Sequence, residues 1–146
     1  MIQEIVKQLE PLPSKSKFVI FGGGYSGQRI ASVGRHLGIQ VLCSRRKKGS
    51  EGADFIFNNN EKLSNEILEG ATHILSCIPP LSTGKDPVLS QLKTKILNSK
   101  DLKWVGYLST TGVYGDAQGE WVKENTTPNP QQERSIRRFS CEKEWL

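Results

Sequence analysis

Apolar and polar positions fall in alternating blocks along the chain, and the blocks predict strands and helices in turn. Lys17–Phe21 is an apolar run of strand length, 26–37 carries a helical pattern, and Val41, Leu42 and Cys43 form a second strand. Residues 54–57 predict a short third strand, closed by Asn58, Asn59 and Asn60. Residues 61–68 predict a helix with Leu63, Ile67 and Leu68 apolar and Gly70 near its end. Residues 72–78 read as a buried fourth strand, stopped by Pro79 and Pro80. Asp86 is placed as an N-cap and Pro87 opens the next helix, whose inward stripe is Val88, Leu89, Leu92 and Ile96, joined by the stem of Lys95. Residues 102–108 predict a fifth strand, 115–131 a loop containing Pro128 and Pro130, and 135–146 a last helix facing inward through Ile136, Phe139 and Leu146. Ahead of all this, Ile2, Ile5, Val6 and Leu9 suit a short amphipathic helix that Pro11 and Pro13 would end.

Strands alternating with helices imply an α/β fold: a doubly wound parallel sheet in three layers, α/β/α, with right-handed crossovers. The expected strand order is 3-2-1-4-5, with a ligand crevice above the carboxyl ends of strands 1 and 4. Residues 1–16 are then an N-terminal extension and 17–146 one domain, a size that supports a proper core.

The turn after the first strand carries candidate chemistry. Gly22, Gly24 and Gly27 give the spacing GxGxxG between a strand and a helix, at the start of a βαβ unit. Gly22 serves the tight turn, Gly24 lets the backbone approach a pyrophosphate, and Gly27 lets helix and strand pack closely. The helix N-terminus, at Tyr25 and Ser26, offers free N–H groups and a positive dipole end to the anion. This is the dinucleotide-binding pattern of a Rossmann domain. At the end of the second strand, where an NAD site has Asp or Glu on the ribose 2′-OH, the chain reads Ser44, Arg45, Arg46, Lys47 and Lys48. A Ser donor and an Arg fork suit a 2′-phosphate, so NADP is expected ahead of NAD. The alternative for this run is a solvated basic loop.

Charge and cysteines narrow the partners. The net charge is +5, with basic clusters at 45–48 and 134–138. Aromatic residues are not interleaved with them as stacking platforms, which weighs against nucleic acid. Three cysteines, Cys43, Cys77 and Cys141, are far apart with no CxxC, which fits a reducing cytoplasm and argues against a metal site or disulfide framework. No apolar run reaches the roughly 20 residues of a membrane helix, and the start lacks the apolar core of a signal peptide.

From Leu108 the sequence reads LSTTGVYGDAQGEWVKENTTPNP. Together with FGGGYSGQ and SCIPP it resembles the extended and atypical short-chain dehydrogenase/reductases, the superfamily of nucleotide-sugar epimerases and dehydratases. The resemblance covers nearly the whole chain, and STTGVYGD is its most specific element. It implies a catalytic hydroxyl at Thr110, the residue three before the Val of VYG; the alternative role is a hydroxyl capping the strand end. It also places Cys77, Ile78 and Pro79 in the loop beside the cofactor's adenosine-side ribose and nicotinamide. Phe21 stands where extended members have the first glycine of GxxGxxG.

A larger departure is the YxxxK pair, which such proteins carry on the helix after the fifth strand. Residues 129–146 contain no tyrosine. Arg134 and Arg138 keep the i, i+4 relation and suit a phosphate or acidic substrate, but a guanidinium stays protonated above pH 12 and shuttles protons poorly. Tyr114 is a surrogate acid or, more simply, a packing residue. His36 and His73 are expected to be structural. The substrate-binding region of the family would begin where this chain stops, so the expectation is a cofactor-binding half, a fragment or a reduced protein, whose exposed apolar surface allows a homo-oligomer. Two functions follow: an NADP-binding oxidoreductase or nucleotide-sugar epimerase/dehydratase, acting on a nucleotide-sugar or other small molecule, or a non-catalytic NADP-binding regulatory or assembly module.

Overall fold

The computed structural model describes residues 12, 13, 15–58 and 61–146. The helix expected through Ile2, Ile5, Val6 and Leu9 lies outside them. Five strands, β1 (Lys17–Phe21), β2 (Gln40–Arg45), β3 (Phe55–Ile56), β4 (His73–Ser76) and β5 (Trp104–Tyr107), form one sheet in the order β3-β2-β1-β4-β5. Every pairing is parallel. The helices are α1 (Tyr25–His36), α2 (Pro87–Leu97) and α3 (Glu133–Trp145). The expected α/β class and strand order are what the chain adopts.

Alternation along β1 sorts the core into two faces. Val19 and Phe21 join Ile74 of β4 and the α2 stripe of Val88, Leu89, Leu92 and Ile96 on one side. Ile20 joins Leu75, Val41 and Ala31 of α1 on the other. A central parallel strand covered on both faces needs an unbroken apolar run, which is why FVIF is apolar at every position. Asp86 caps α2 as expected: its Oδ1 accepts the N–H groups of Val88 and Leu89, both at 2.8 Å.

Three expectations fail locally. Residues 61–68 make only a 3₁₀ turn at Asn65–Ile67, because eight residues cannot sustain a helix without a packed stripe and here Leu63 alone is fully buried. Lys95 does not cover the core with its stem; it is exposed, and its amine donates to Asn65 Oδ1 at 2.6 Å. On α3 the buried residues are Ser135, Cys141 and Trp145, whereas Ile136 and Leu146 point to solvent. Polar anchors select that face. Trp145 Nε1 donates to Asp86 Oδ2 at 3.0 Å, Ser109 Oγ donates to Glu142 Oε2 at 2.7 Å, and Arg138 donates to the Leu108 carbonyl at 3.1 Å. No helix among the described residues is long and apolar enough to cross a membrane.

Candidate functional site

The glycine turn is built by contacts that leave no room for side chains. Gly22 has φ +95°, a conformation costly for other residues, and a Cβ there would lie 2.9 Å from Ile78 Cγ1. A Cβ on Gly27 would lie 2.2 Å from the Gly22 carbonyl oxygen, so α1 rests directly on the turn. Gly24, the N-cap of α1, would meet nothing within 4 Å. It offers no side-chain acceptor, and the first turn of α1 carries no acidic residue. The first-turn N–H groups therefore remain available to an anion.

Ser44 and Gly23 hold this turn against β2. Ser44 Oγ accepts the Gly22 N–H at 2.9 Å, and the Ser44 carbonyl accepts the Gly23 N–H at 2.6 Å. A Cβ on Gly23 would sit 2.8 Å from that carbonyl, so GGG is needed at its middle position too. Ser44 was expected as a ligand donor. It lines the cleft with a buried side chain whose oxygen accepts from the loop and whose O–H remains a donor.

A cleft of about 590 Å³ opens above the carboxyl ends of β1, β2 and β4. It gathers the glycine turn at Gly22 and Gly24, the β2 end at Ser44, Arg45 and Arg46, and the β4 loop at Cys77, Ile78 and Pro79. Gly23, Phe57, Asn58 and Pro80 also line it, and sequence reasoning missed them. Three expected residues do not line the cleft: Tyr25 and Ser26 point outward at the start of α1, and Gly27 lies buried beneath the turn. Arg45 Nε donates to the Glu51 carbonyl at 3.1 Å, which fixes the guanidinium at the cleft edge while its terminal nitrogens make no other bond among the described residues. Burial pushes the Cys77 thiol up to about 11, with a further rise from Cys43. It is a neutral wall of the cleft at ordinary pH.

The remaining candidates stand beyond Pro79 and Pro80, which line both the cleft and a second cavity of about 260 Å³. Thr110, Arg134 and Arg138 line this second cavity, so the structure brings those three together. Thr110 Oγ1 accepts the Gly112 N–H at 3.3 Å and caps a 3₁₀ turn at Thr111–Tyr114. Tyr114 is half-buried and does not line that cavity. Arg138 lies 5.6 Å over the Tyr107 ring and also donates to the Tyr107 hydroxyl at 3.4 Å. Burial pushes that phenol up to about 12, against the opposing pull of Arg138. His73 lies away from both cavities: its Nδ1 shares a hydrogen bond with Thr72 Oγ1 at 2.8 Å, and its ring packs against Phe18. Burial and Lys103 lower its pKa.

No protein-family model and no curated protein matches the chain. Solved structures do. A conserved protein of unknown function from Silicibacter pomeroyi is 33% identical with a TM-score of 0.77, over 89% of this chain and 47% of that one. A short-chain dehydrogenase/reductase superfamily protein from Agrobacterium tumefaciens with bound NAD is 12% identical with a TM-score of 0.67, over 87% of this chain and 43% of that one. A dTDP-glucose 4,6-dehydratase from Bacillus anthracis in complex with NAD is 17% identical with a TM-score of 0.60, over 88% and 48%. The chain spans about half the length of these proteins. It has the fold of the N-terminal half of short-chain dehydrogenase/reductase and epimerase/dehydratase structures.

Proposed function

We propose that this chain is a dinucleotide-binding domain that takes NADP in preference to NAD. One observation carries the reading: a single cleft joins the glycine turn, the β2-end arginines and the β4 loop. The Gly22–Gly24 backbone and the first-turn N–H groups of α1 would hold the pyrophosphate. Arg45 and Arg46 would hold the 2′-phosphate, with no carboxylate among the described residues lining the cleft to accept a bare ribose hydroxyl. Cys77, Ile78 and Pro79 would flank the far ribose and the nicotinamide. The space at Gly24 fits this reading, since its Cα side is open where a phosphate would approach. Bound there, the nicotinamide ring supplies hydride transfer.

The likeness to oxidoreductases and nucleotide-sugar enzymes supports an acceptor site at the Thr110 end, beyond Pro79. A specific observation favours the second reading, a non-catalytic regulatory or assembly module. On α3, Arg134 and Arg138 keep the i, i+4 relation of the family's acid–base pair but the helix has no tyrosine, and the tyrosine that Arg138 touches, Tyr107, is pushed up to about 12. Neither guanidinium nor such a phenol is matched to proton transfer near neutral pH. Calorimetric titration with NADP, NAD and ADP-ribose tests the first claim: NADP should bind at least about tenfold more tightly than NAD. Equal binding removes the preference, and absence of all binding removes the reading. Oxidation of NADPH with a panel of carbonyl compounds separates enzyme from module.

A further inference from the structure

We propose that the cavity beyond Pro79 and Pro80 is a binding site for the carboxylate or phosphate of a small molecule held at the end of the cleft. This deepens the dinucleotide reading and rests on it for the neighbouring ligand, but the anion site has its own evidence. The cavity of about 260 Å³ is lined by Arg134, Arg137 and Arg138 together with Thr110, Ser135 and the two prolines. Among the described residues, three guanidiniums line it and no carboxylate does.

The partners of the three cations leave charge to spare. Among the described residues Arg134 bonds only the neutral Gln132 Oε1, at 3.1 Å, and Arg138 bonds a carbonyl and a phenol. Arg137 pairs with Glu133 at 3.1 Å, but the Glu133 side chain is 88% exposed and free to turn away. Glu142, which accepts the Ser109 hydroxyl, and Asp116, in the adjoining cavity, which accepts the Gln118 N–H at 2.8 Å, keep their charge, but among the described residues neither forms an ion pair with an arginine. Like charges on one wall repel, and an oxyanion relieves that repulsion while taking two N–H donors from a single fork.

The architecture fixes this cluster in place. Gly112 has no side chain because a Cβ would lie 2.6 Å from Ser135 Oγ, so the Thr110 turn abuts the first turn of α3. Buried Ser135 and the Arg138 bond to the β5 end then aim the first turns of α3 at the β4 loop. Across the sheet order, Arg45 stands at the β2 end, the glycine turn at β1, the prolines after β4 and the arginines beyond β5. A dinucleotide laid from β2 to β4 would bring its last ring to the prolines, beside the anion.

Amide NMR shifts of the full chain during titration with inorganic phosphate and, separately, succinate test the site. Shifts at residues 110–116 and 132–138 are expected with at least one of the two. Phosphate alone identifies a phosphate-bearing ligand, and succinate a carboxylate. The double variant Arg134→Gln with Arg137→Gln should weaken those shifts about tenfold or more, having lost two charged donors. Shifts that phosphate causes at Gly22–Gly24 and Arg45 should persist in it. Arg134→Gln alone, at an exposed position, provides the same test at smaller amplitude should the double variant fail to fold. No shift at 110–116 and 132–138, or identical shifts in the variants, overturns the proposal. A parallel NADP titration keeps the two readings apart: its failure beside intact anion shifts defeats the dinucleotide assignment alone.

Discussion

Gly27→Ala sets two physical effects against each other, and the structure decides between them. Gly27 lies in the first turns of α1, where intrinsic propensity favours alanine over glycine by about 1 kcal/mol. On propensity alone the variant would be more stable. The new methyl, however, would lie 2.2 Å from the Gly22 carbonyl oxygen, 3.1 Å from its carbon and 3.5 Å from Ile20 Cγ2. The first of these is a backbone atom of a turn that Ser44 already pins through Gly22 N–H, so it cannot swing aside as a flexible side chain would. Helix and turn must separate by about 1 Å, and overpacking of this kind costs typically 1–3 kcal/mol or more. We expect a net loss of roughly 1–2 kcal/mol, a fall in the melting midpoint of several degrees, about 2–8 °C for a domain of this size. NADP binding should weaken with it if the displaced turn holds the pyrophosphate as proposed. Urea and thermal denaturation followed by circular dichroism read the first effect, and calorimetry the second. Gly24→Ala is the control: with open space around the added carbon, stability should change little while binding falls. A Gly27→Ala protein as stable as the parent would refute the packing argument.

Arg45→Asp should reverse cofactor preference: losing a charge-assisted hydrogen bond costs about 1.5–3 kcal/mol, so NADP weakens at least about tenfold while NAD holds or improves. Parallel small losses for both cofactors would mark a solvated basic loop instead. Asp86→Ala should destabilise the fold by about 2–4 kcal/mol, since it removes the α2 cap and leaves the buried Trp145 N–H without its acceptor; a loss under about 1 kcal/mol in urea denaturation would contradict this. Cys77 should alkylate slowly: with its thiol at about 11, the thiolate is scarce at pH 8 and its rate should keep rising to about pH 11, where an unperturbed cysteine levels off near 9. A rate that plateaus near pH 9 would show that the thiol is not held up by burial.

The legible parts of this fold are those whose causes are local in sequence. The apolar run of β1, the glycine spacing and the Asp86–Pro87 start of α2 each carry their own signal within a few residues, and each stands where it was expected. What depends on distant partners was not legible. Ser44 reads in the sequence only as a ligand donor, whereas its oxygen also accepts the Gly22 N–H, 22 positions away, and so holds the turn. Gly23 has no reason to be glycine until the Ser44 carbonyl lies against it. Phe57 and Asn58 enter the cleft only because β3 pairs in parallel with β2, which carries the chain leaving Ile56 to the same end of the sheet as Arg45. The face of α3 was misread for the same reason, since apolar periodicity pointed to Ile136 and Leu146 while Asp86 and Leu108 hold the opposite side through hydrogen bonds.

Strand order also decides which chemistry meets which. Because β2 and β5 lie on opposite sides of the β1–β4 pair, the arginines after β2 and those on α3 reach the carboxyl edge at opposite ends of one line. The first set suits a phosphate on the adenosine side of a dinucleotide, and the second an anion beside its other end. Between them the walls include the glycine backbone, Ile78, Leu81, the prolines, the Ser82 hydroxyl and the neutral Cys77 thiol, a surface that suits a ring. At the point where proton transfer would be needed stand guanidiniums and a hydroxyl whose oxygen caps a turn. On the proposed reading, the cations at both ends would recognise two anions, and the spacing between those anions, rather than an acid–base group, would select the ligand.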